Sequence, residues 1–253
     1  MTFCKGKTKG PGTPPGETVD TLFHGKLRII QAKRGYRFSL DAVLLAHFAT
    51  LRGSDRVVDL GTGNGVIPLI LARLHPAVEI VGVELQEEMA RRALRNVNLN
   101  RLEERVKILR GDVCSVEEVL PPESVAAVVC NPPYRRPASG RVNPDAEKRI
   151  ARHEIKARLA DFIRAGSYLL RRGGHMALVY PAARMVDLLQ TMRQEEIEPK
   201  RLRLVHSYEG SAATLALAEG IKGAGTELRI LPPLVVYTRD RKYTREMKAV
   251  LGE

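Results

Sequence analysis

Apolar runs and helical segments alternate through the middle of the chain. Short runs of Val, Ile and Leu predict buried strands in RVVDLG, VEIVGVE, VKILRGD and VAAVVC. The segments VIPLILARLHP and QEEMARRALRNVNLN between the first three runs have the apolar spacing of helices. Continuous apolar strands need helices on both faces of their sheet, so the pattern predicts a doubly wound, mostly parallel α/β sheet.

The flanking segments extend this pattern in both directions. On the N-terminal side, SLDAVLLAHFA predicts a helix with Ser39 as its N-cap. On the C-terminal side, ADFIRAGSYLLRRGG predicts a helix that ends at Gly173 and Gly174. A strand HMALVYP, a helix ARMVDLLQTMRQEE, a strand RLRLVHS and a last strand within ELRILPPLVVYTRD should follow.

The helix QEEMARRALRNVNLN is predicted to bury one face and expose the other. Its apolar stripe consists of Met89, Ala90, Ala93, Leu94 and Val97. Glu87 with Arg91 and Glu88 with Arg92 are spaced four apart, which predicts ion pairs on the solvated side.

Composition divides the chain into one folded unit and a tail. Residues 1–20 are rich in Lys, Gly, Thr and Pro, which predicts a flexible basic tail. Residues 21–253 then form a single domain, with an N-terminal segment 21–54 and a basic, substrate-binding loop 135–158.

The charge balance favours a polyanionic partner. The chain has 41 Lys and Arg against 29 Asp and Glu, a formal net charge of +12, which attracts RNA, DNA or acidic membrane surfaces. Three cysteines without zinc-type spacing, together with the absence of a secretory signal or spanning segment, predict a cytoplasmic protein without a membrane role.

A glycine-rich turn follows the first apolar run. The strand VVDL continues directly into Gly61-Thr62-Gly63-Asn64-Gly65 and then into a helix, an arrangement that binds small ligands at a helix N-terminus. Val66 occupies the place where a dinucleotide-binding fingerprint needs its third glycine, and no phosphate-binding Lys-Ser/Thr follows. The turn therefore disfavours NAD and ATP.

Three acidic residues are expected at the same edge of the sheet as this turn. Asp59 precedes the glycines, Glu84 ends the second strand, and Asp112 follows the third. Glu84 is placed to accept ribose hydroxyls, and Asp112 to accept an exocyclic purine amine. Such acids repel a pyrophosphate but suit S-adenosylmethionine, whose sulfonium is positive.

The fourth apolar run ends in Asn131-Pro132-Pro133-Tyr134. This motif resembles that of the amino-methyltransferases. The Asn131 side-chain oxygen and the Pro132 carbonyl could accept the hydrogens of a poorly nucleophilic amine and orient it, while Tyr134 stacks on the planar substrate. The histidines include no pair at ligand spacing with acids, so no metal site is predicted.

Several segments together resemble the bacterial tRNA1(Val) (adenine-N6)-methyltransferase family. They are GYRFSLDAVLLAHFA, DLGTGNGVIPLILA, NPPY with ARHE beyond it, and LPPLVVYTRDRKYT. The resemblance implies a seven-stranded class I methyltransferase fold and methylation of an adenine amine beside the anticodon of a tRNA. It leaves the oligomeric state open between monomer and homodimer.

Spacing and resemblance together give the candidate site residues. Those expected to bind S-adenosylmethionine are Phe38, Ser39, Asp41, Asp59, Gly61, Thr62, Gly63, Asn64, Gly65, Glu84, Leu85, Asp112, Val113 and Asn131. The expected catalytic residues are Asn131, Pro132, Pro133 and Tyr134. Residues expected to bind the RNA substrate are Arg135, Arg136, Arg141, Arg152 and His153.

Two other functions share part of this pattern. A protein-(glutamine-N5) methyltransferase acting on a release factor or ribosomal protein would carry the same NPPY motif. Residues 135–158 contain eight Lys or Arg against three Asp or Glu, which favours a phosphate backbone over a protein substrate. A non-catalytic RNA-binding module is disfavoured because the motif and the acids are all present.

Overall fold

The fold is a single large sheet with helices on both faces and a separate two-stranded hairpin at the N-terminus. A computed structural model describes residues 16–33, 38–133 and 157–253. Nine strands form the large sheet. All seven predicted strands are present in it, the last of them in two pieces, and one further strand over residues 213–222 was not predicted.

The described elements have the following bounds. The strands are β1 Glu17–Leu22, β2 Leu27–Ala32, β3 Arg56–Leu60, β4 Glu79–Glu84, β5 Val106–Arg110, β6 Val125–Cys130, β7 Leu170–Pro181, β8 Ile197–Tyr208, β9 Ala213–Lys222, β10 Arg229–Ile230 and β11 Leu234–Tyr237. The α-helices are α1 Leu40–Phe48, α2 Val66–Leu74, α3 Glu87–Leu99, α4 Leu159–Leu169, α5 Met185–Gln194 and α6 Arg245–Leu251. The strand order of the large sheet is β10-β8-β9-β7-β6-β3-β4-β5, and β11 also pairs with β8.

The prediction of a doubly wound, mostly parallel α/β sheet is confirmed. Strands β3, β4, β5, β6 and β7 run parallel, whereas β9 is antiparallel to both β7 and β8. One apolar cluster joins the sheet to α1, α2, α3 and α6, and a second joins its other face to α4 and α5. Helices cover both faces because the strands are buried on both faces.

The register of the central strands brings their carboxyl ends to one level. Leu60 at the end of β3 lies opposite Val83 in β4 and Cys130 in β6. The residues that follow them, Gly61, Glu84 and Asn131, therefore leave the sheet side by side. Neighbouring strands are about 4.8 Å apart, so these three residues span roughly 10 Å.

Helix α3 holds the N-terminal hairpin through side-chain amides. Asn96 bonds both backbone groups of Ile30, at 2.6 and 3.1 Å. Asn100, one turn later, bonds both backbone groups of Arg28, at 2.9 and 2.7 Å. The two amides thus pair with alternate residues of β2, as a neighbouring strand would.

The hairpin corrects two predictions. Strand β1 begins at Glu17, so residues 17–20 belong to the fold and not to the tail predicted over 1–20. Arg92 is buried and binds Glu17 at 2.9 Å as well as Glu88 at 2.8 Å, so it does not lie on a solvated face. Leu94 is instead 50% exposed, because the hairpin covers the adjacent side of α3.

Two boundaries near the C-terminus differ from those predicted. Helix α4 ends at Leu169, and Gly173 and Gly174 lie inside β7, where they form an irregularity in the pairing with β6. The predicted last strand is divided into β10 and β11, because Pro232 and Pro233 between them have no N–H to donate to a ladder. No helix in the described part of the chain is long and apolar enough to cross a membrane.

Candidate active site

The glycine-rich turn curls tightly over the end of β4. Gly61, Gly63 and Gly65 all have positive φ angles, of 72°, 59° and 80°, a conformation that glycine adopts without steric cost. The Gly61 and Thr62 N–H groups both donate to the Val83 carbonyl, at 2.9 and 3.0 Å. A side chain at Gly65 would approach Ala93 of α3 to 3.1 Å, so this position also needs glycine for close packing.

Glu84 joins the turn to the loop after β4. Its carboxylate accepts hydrogen bonds from the Gly63 N–H at 2.8 Å and the Gln86 N–H at 2.9 Å. The side chain is 7% exposed. A carboxylate has about four acceptor positions, so these bonds leave capacity for the hydroxyls of a ribose.

Asp59 lies fully buried beneath the same turn. Burial, together with the negative charge of Glu84, raises the pKa of its carboxyl to about 7. The Thr62 hydroxyl lowers the pKa only in part. A cationic ligand beside Asp59 would favour the deprotonated, negatively charged form of this carboxyl.

Several buried polar atoms of the turn lack partners within the described residues. Both carboxylate oxygens of Asp59, the hydroxyl of Thr62 and the side-chain oxygen of Asn64 form no hydrogen bond of good geometry there. Buried polar groups are usually paired, and exceptions often mark ligand sites. These acceptors fit the ammonium and hydroxyl donors of S-adenosylmethionine.

The loop after β5 supplies the third acidic residue. Asp112 precedes a short 3-10 helix over Val113–Glu118 and accepts a hydrogen bond from the Cys114 N–H at 2.9 Å. Val113 is buried and Leu85 is 40% exposed. Asp59 and Glu84 thus lie at the ends of the neighbouring strands β3 and β4, and Asp112 lies two residues beyond the end of β5, as expected.

The Asn-Pro-Pro segment begins directly beside the glycine-rich turn. Asn131 follows Cys130, which pairs with Leu60, so Asn131 lies next to Gly61 at the sheet edge. Pro132 is buried and Pro133 is exposed. Burial and the neighbouring Asp59 raise the pKa of Cys130, as expected of a core thiol and not of a nucleophile.

The N-terminal candidates sit at the start of α1. Phe38 is buried, and its N–H donates to the Gln31 side-chain oxygen at 2.9 Å. Ser39 is the N-cap residue, as predicted, but its side chain makes no capping bond; Asp41 lies in the first turn. Contact between these three residues and the cofactor stays a prediction.

The remaining candidates fall outside the described residues. They are Tyr134 of the motif and the expected RNA-binding residues Arg135, Arg136, Arg141, Arg152 and His153. Across residues 16–33, 38–133 and 157–253, no group of three or more His, Cys, Asp or Glu side chains could hold a metal ion.

Sequence reasoning missed two buried polar side chains that connect the hairpin β1–β2 to candidate site residues. The Asn96 side chain, already bonded to β2, also donates to the Asn64 carbonyl at 2.9 Å. Gln31 on β2 binds both Asp20 on β1 and the Phe38 N–H. The signal for Asn96 is weak, being only an amide on the otherwise apolar side of a helix.

Comparison with protein families gives one match that covers most of this region. The model described as "Methyltransferase small domain" matches residues 40–195. A relative from Aeromonas hydrophila named tRNA1(Val) (adenine(37)-N6)-methyltransferase is 33% identical over 81% of this chain and 84% of its own length. A relative of the same name from Tolumonas auensis is 27% identical over 90% and 93%.

Solved structures show the same fold. A predicted O-methyltransferase from Agrobacterium tumefaciens superposes with a TM-score of 0.68 at 24% identity, covering 83% of this chain and 94% of that one. A geranyl diphosphate C-methyltransferase from Streptomyces coelicolor, in complex with S-adenosyl-L-homocysteine, superposes with a TM-score of 0.53 at 14% identity, covering 72% and 80%.

Proposed function

Because the chain belongs to the tRNA1(Val) (adenine(37)-N6)-methyltransferase family, we propose that it transfers a methyl group from S-adenosylmethionine to N6 of an adenine beside the anticodon of tRNA1(Val). One observation carries this proposal. Asn131 of the Asn-Pro-Pro segment and Gly61 of the glycine-rich turn leave adjacent strands side by side. An amine held by the first would therefore lie next to a cofactor held by the second.

The cofactor would be held by residues of three neighbouring strands. Glu84 has acceptor capacity for the ribose hydroxyls, and Asp59 offers a buried carboxylate to the ammonium group. Asp112 would accept from the adenine amine of the cofactor. S-adenosylmethionine, when bound, supplies a methyl group attached to a positively charged sulfur.

Asn131 and Pro132 act on the substrate amine. The lone pair of an exocyclic adenine amine is delocalised into the ring, so the nitrogen is a poor nucleophile. Two acceptors, the Asn131 side-chain oxygen and the Pro132 carbonyl, would hold the two amine hydrogens, raise electron density on nitrogen and fix its direction. The buried Pro132 stiffens the backbone that presents both oxygens.

The chain after the Asn-Pro-Pro segment is rich in basic residues. We assign Tyr134 to stacking on the target adenine, and the basic loop 135–158 to the phosphate backbone of a tRNA. In this view residues 17–253 form one methyltransferase domain, and the protein acts in the cytoplasm, where tRNA is available.

Radiolabelled methyl transfer tests the proposal against the same chemistry on a glutamine. The wild-type protein should label bulk tRNA and leave release factor unlabelled. Asn131→Ala should lower the rate on tRNA about a hundredfold to a thousandfold, as when one preorganised polar partner is lost from a transition state. Labelling of release factor alone would overturn the proposal.

A further inference from the structure

The β8–β9 hairpin extends beyond the edge of the sheet that carries the candidate active site. Leu178 in β7 lies opposite both Cys130 in β6 and Ala218 in β9, and Ala218 lies opposite Leu202 in β8. Tyr208 is six residues further along β8, roughly 20 Å beyond that level. Both β7 and β8 are antiparallel to β9, so β8 points toward the same edge as the glycine-rich turn.

Three tyrosine rings lie in a row at the end of this extension. Tyr208 pairs with Tyr237 of β11, and their ring centroids are 5.6 Å apart. Tyr237 stacks on Tyr243 with a centroid distance of 5.3 Å and an interplanar angle of 21°. Tyr208, the outer ring, is 38% exposed. We call Tyr208, Tyr237 and Tyr243 the tyrosine platform.

The backbone holds the platform in a fixed position. The Tyr208 N–H donates to the Ser211 hydroxyl at 3.1 Å, and that hydroxyl donates to the Tyr208 carbonyl at 2.7 Å. The turn between the other two rings is closed by a hydrogen bond from the Thr238 N–H to the Lys242 carbonyl at 2.8 Å. A rigid aromatic surface loses little entropy when a ligand stacks on it.

Three exposed arginines lie near the platform along the chain. Arg239 and Arg241 lie in the turn that joins Tyr237 to Tyr243, and Arg245 begins α6. None of these three guanidinium groups forms a salt bridge with any residue that the structure describes, whereas Lys242 is paired with Asp240 at 3.1 Å. Aromatic faces interleaved with uncompensated cations are typical of surfaces that bind unpaired nucleotides.

We propose that the tyrosine platform stacks an unpaired base of the substrate RNA, with Arg239 and Arg241 contacting the adjoining phosphates. The inference rests on the proposed function, because it takes an RNA as the substrate. Strand β8 lies three strands from β6, roughly 14 Å along the sheet. The stacked base is therefore a different nucleotide from the adenine held at Asn131, and the platform acts in substrate binding and not in the chemical step.

Binding of bulk bacterial tRNA to single-site variants tests the platform. Tyr208→Ala should raise the Kd for tRNA about tenfold, which is the loss expected for one base–aromatic stack. Tyr208→Phe should bind as the wild type does, because it keeps the ring. The affinity of both variants for S-adenosylhomocysteine should be unchanged, since the hairpin lies away from the glycine-rich turn.

The salt dependence of binding tests the arginines. Arg239→Ala combined with Arg241→Ala should reduce the slope of log Kd against log salt by about 1.4 to 1.8, as for the loss of two phosphate contacts. Arg52→Ala combined with Arg56→Ala removes two exposed cations at the opposite edge of the sheet and should leave the slope unchanged. A Tyr208→Ala variant that binds tRNA within twofold of wild type overturns the platform.

The platform and the proposed function fail in different ways. If the wild type methylates tRNA but the Tyr208 and arginine variants bind it normally, only the platform is wrong. If the wild type binds tRNA through the platform but transfers no methyl group to it, the proposed function is wrong. A wild-type protein that does not bind tRNA overturns both.

Discussion

Two buried carboxylates in the same sheet have opposite surroundings. Glu219 in β9 accepts hydrogen bonds from the Thr50 N–H at 2.7 Å and the Thr50 hydroxyl at 2.8 Å, and pairs with Arg201 at 2.9 Å. Asp59 in β3 is equally buried, yet neither of its oxygens forms a hydrogen bond of good geometry with a described residue.

Their pKa values differ accordingly. Burial alone raises the pKa of Glu219, but His175, Thr50 and Arg201 outweigh it and hold the pKa below the ordinary value. Burial raises the pKa of Asp59 to about 7 with little to oppose it. A buried carboxylate whose hydrogen bonds and charge partners come from the protein stabilises the fold. One that lacks such partners at a ligand site is available to bind a ligand.

The largest expected effect follows the replacement of Glu219, the carboxylate with partners from the protein. Glu219→Ala should lower the free energy of unfolding by about 3 to 5 kcal/mol, because it removes one partner of a buried pair and leaves the Thr50 N–H without an acceptor. Urea denaturation measures the loss. Cofactor affinity, measured on the folded fraction, should be unchanged. A Glu219→Ala variant as stable as the wild type would show that Glu219 and its partners do not stabilise the fold.

Asp59→Asn should have the opposite effect on stability. The pKa of Asp59 is higher in the folded state than in the unfolded state. Between about pH 4 and pH 7 the folded state therefore keeps a proton that the unfolded state loses. The contribution of this group to the free energy of unfolding falls as the pH rises through that range. The variant lacks this loss, so its free energy of unfolding relative to that of the wild type should grow by about 3 kcal/mol between pH 5 and pH 8.

Adding the demethylated cofactor to both proteins tests whether Asp59 binds the ligand. S-adenosylhomocysteine should stabilise the wild type more than Asp59→Asn, because its ammonium group pairs with the charged carboxylate only in the wild type. Equal stabilisation of both proteins at pH 8 would contradict the assignment of Asp59 to the ligand.

Glu84 should show the smallest of the three effects, confined to the cofactor. Glu84→Ala should weaken cofactor binding by about 1 to 3 kcal/mol, the cost of leaving charged hydrogen bonds unmade. Glu84→Gln keeps an oxygen for the Gly63 N–H, so it separates support of the turn from ribose binding. Calorimetry that finds wild-type affinity in Glu84→Gln would limit Glu84 to supporting the turn.

The sequence predicted the parallel half of the sheet and the glycine-rich turn because their signals are local. Continuous apolar runs specify strands β3, β4, β5 and β6, and glycines specify the turn that follows β3. The hairpin β1–β2 was missed because ETVDTL and LRIIQA mix polar and apolar residues. Strand β9 was also missed, although its alternating ATLALA pattern was a usable signal.

The supporting contacts of the site could not be read from local patterns. Asn96 reaches Ile30, which lies 66 residues away along the chain, and recognises only backbone atoms there. Backbone recognition imposes no requirement on residue type at position 30, so no pairing pattern marks it. The same holds for Gln31 and the Phe38 N–H.

Mass spectrometry of nucleosides from tRNA, digested after reaction with the wild-type protein and S-adenosylmethionine, tests the central claim most directly. The account predicts N6-methyladenosine as the new nucleoside, and its near absence with Asn131→Ala, since the acceptors at Asn131 and Pro132 are placed for an exocyclic adenine amine. A new methyl group on a ring nitrogen or on cytosine would contradict the account.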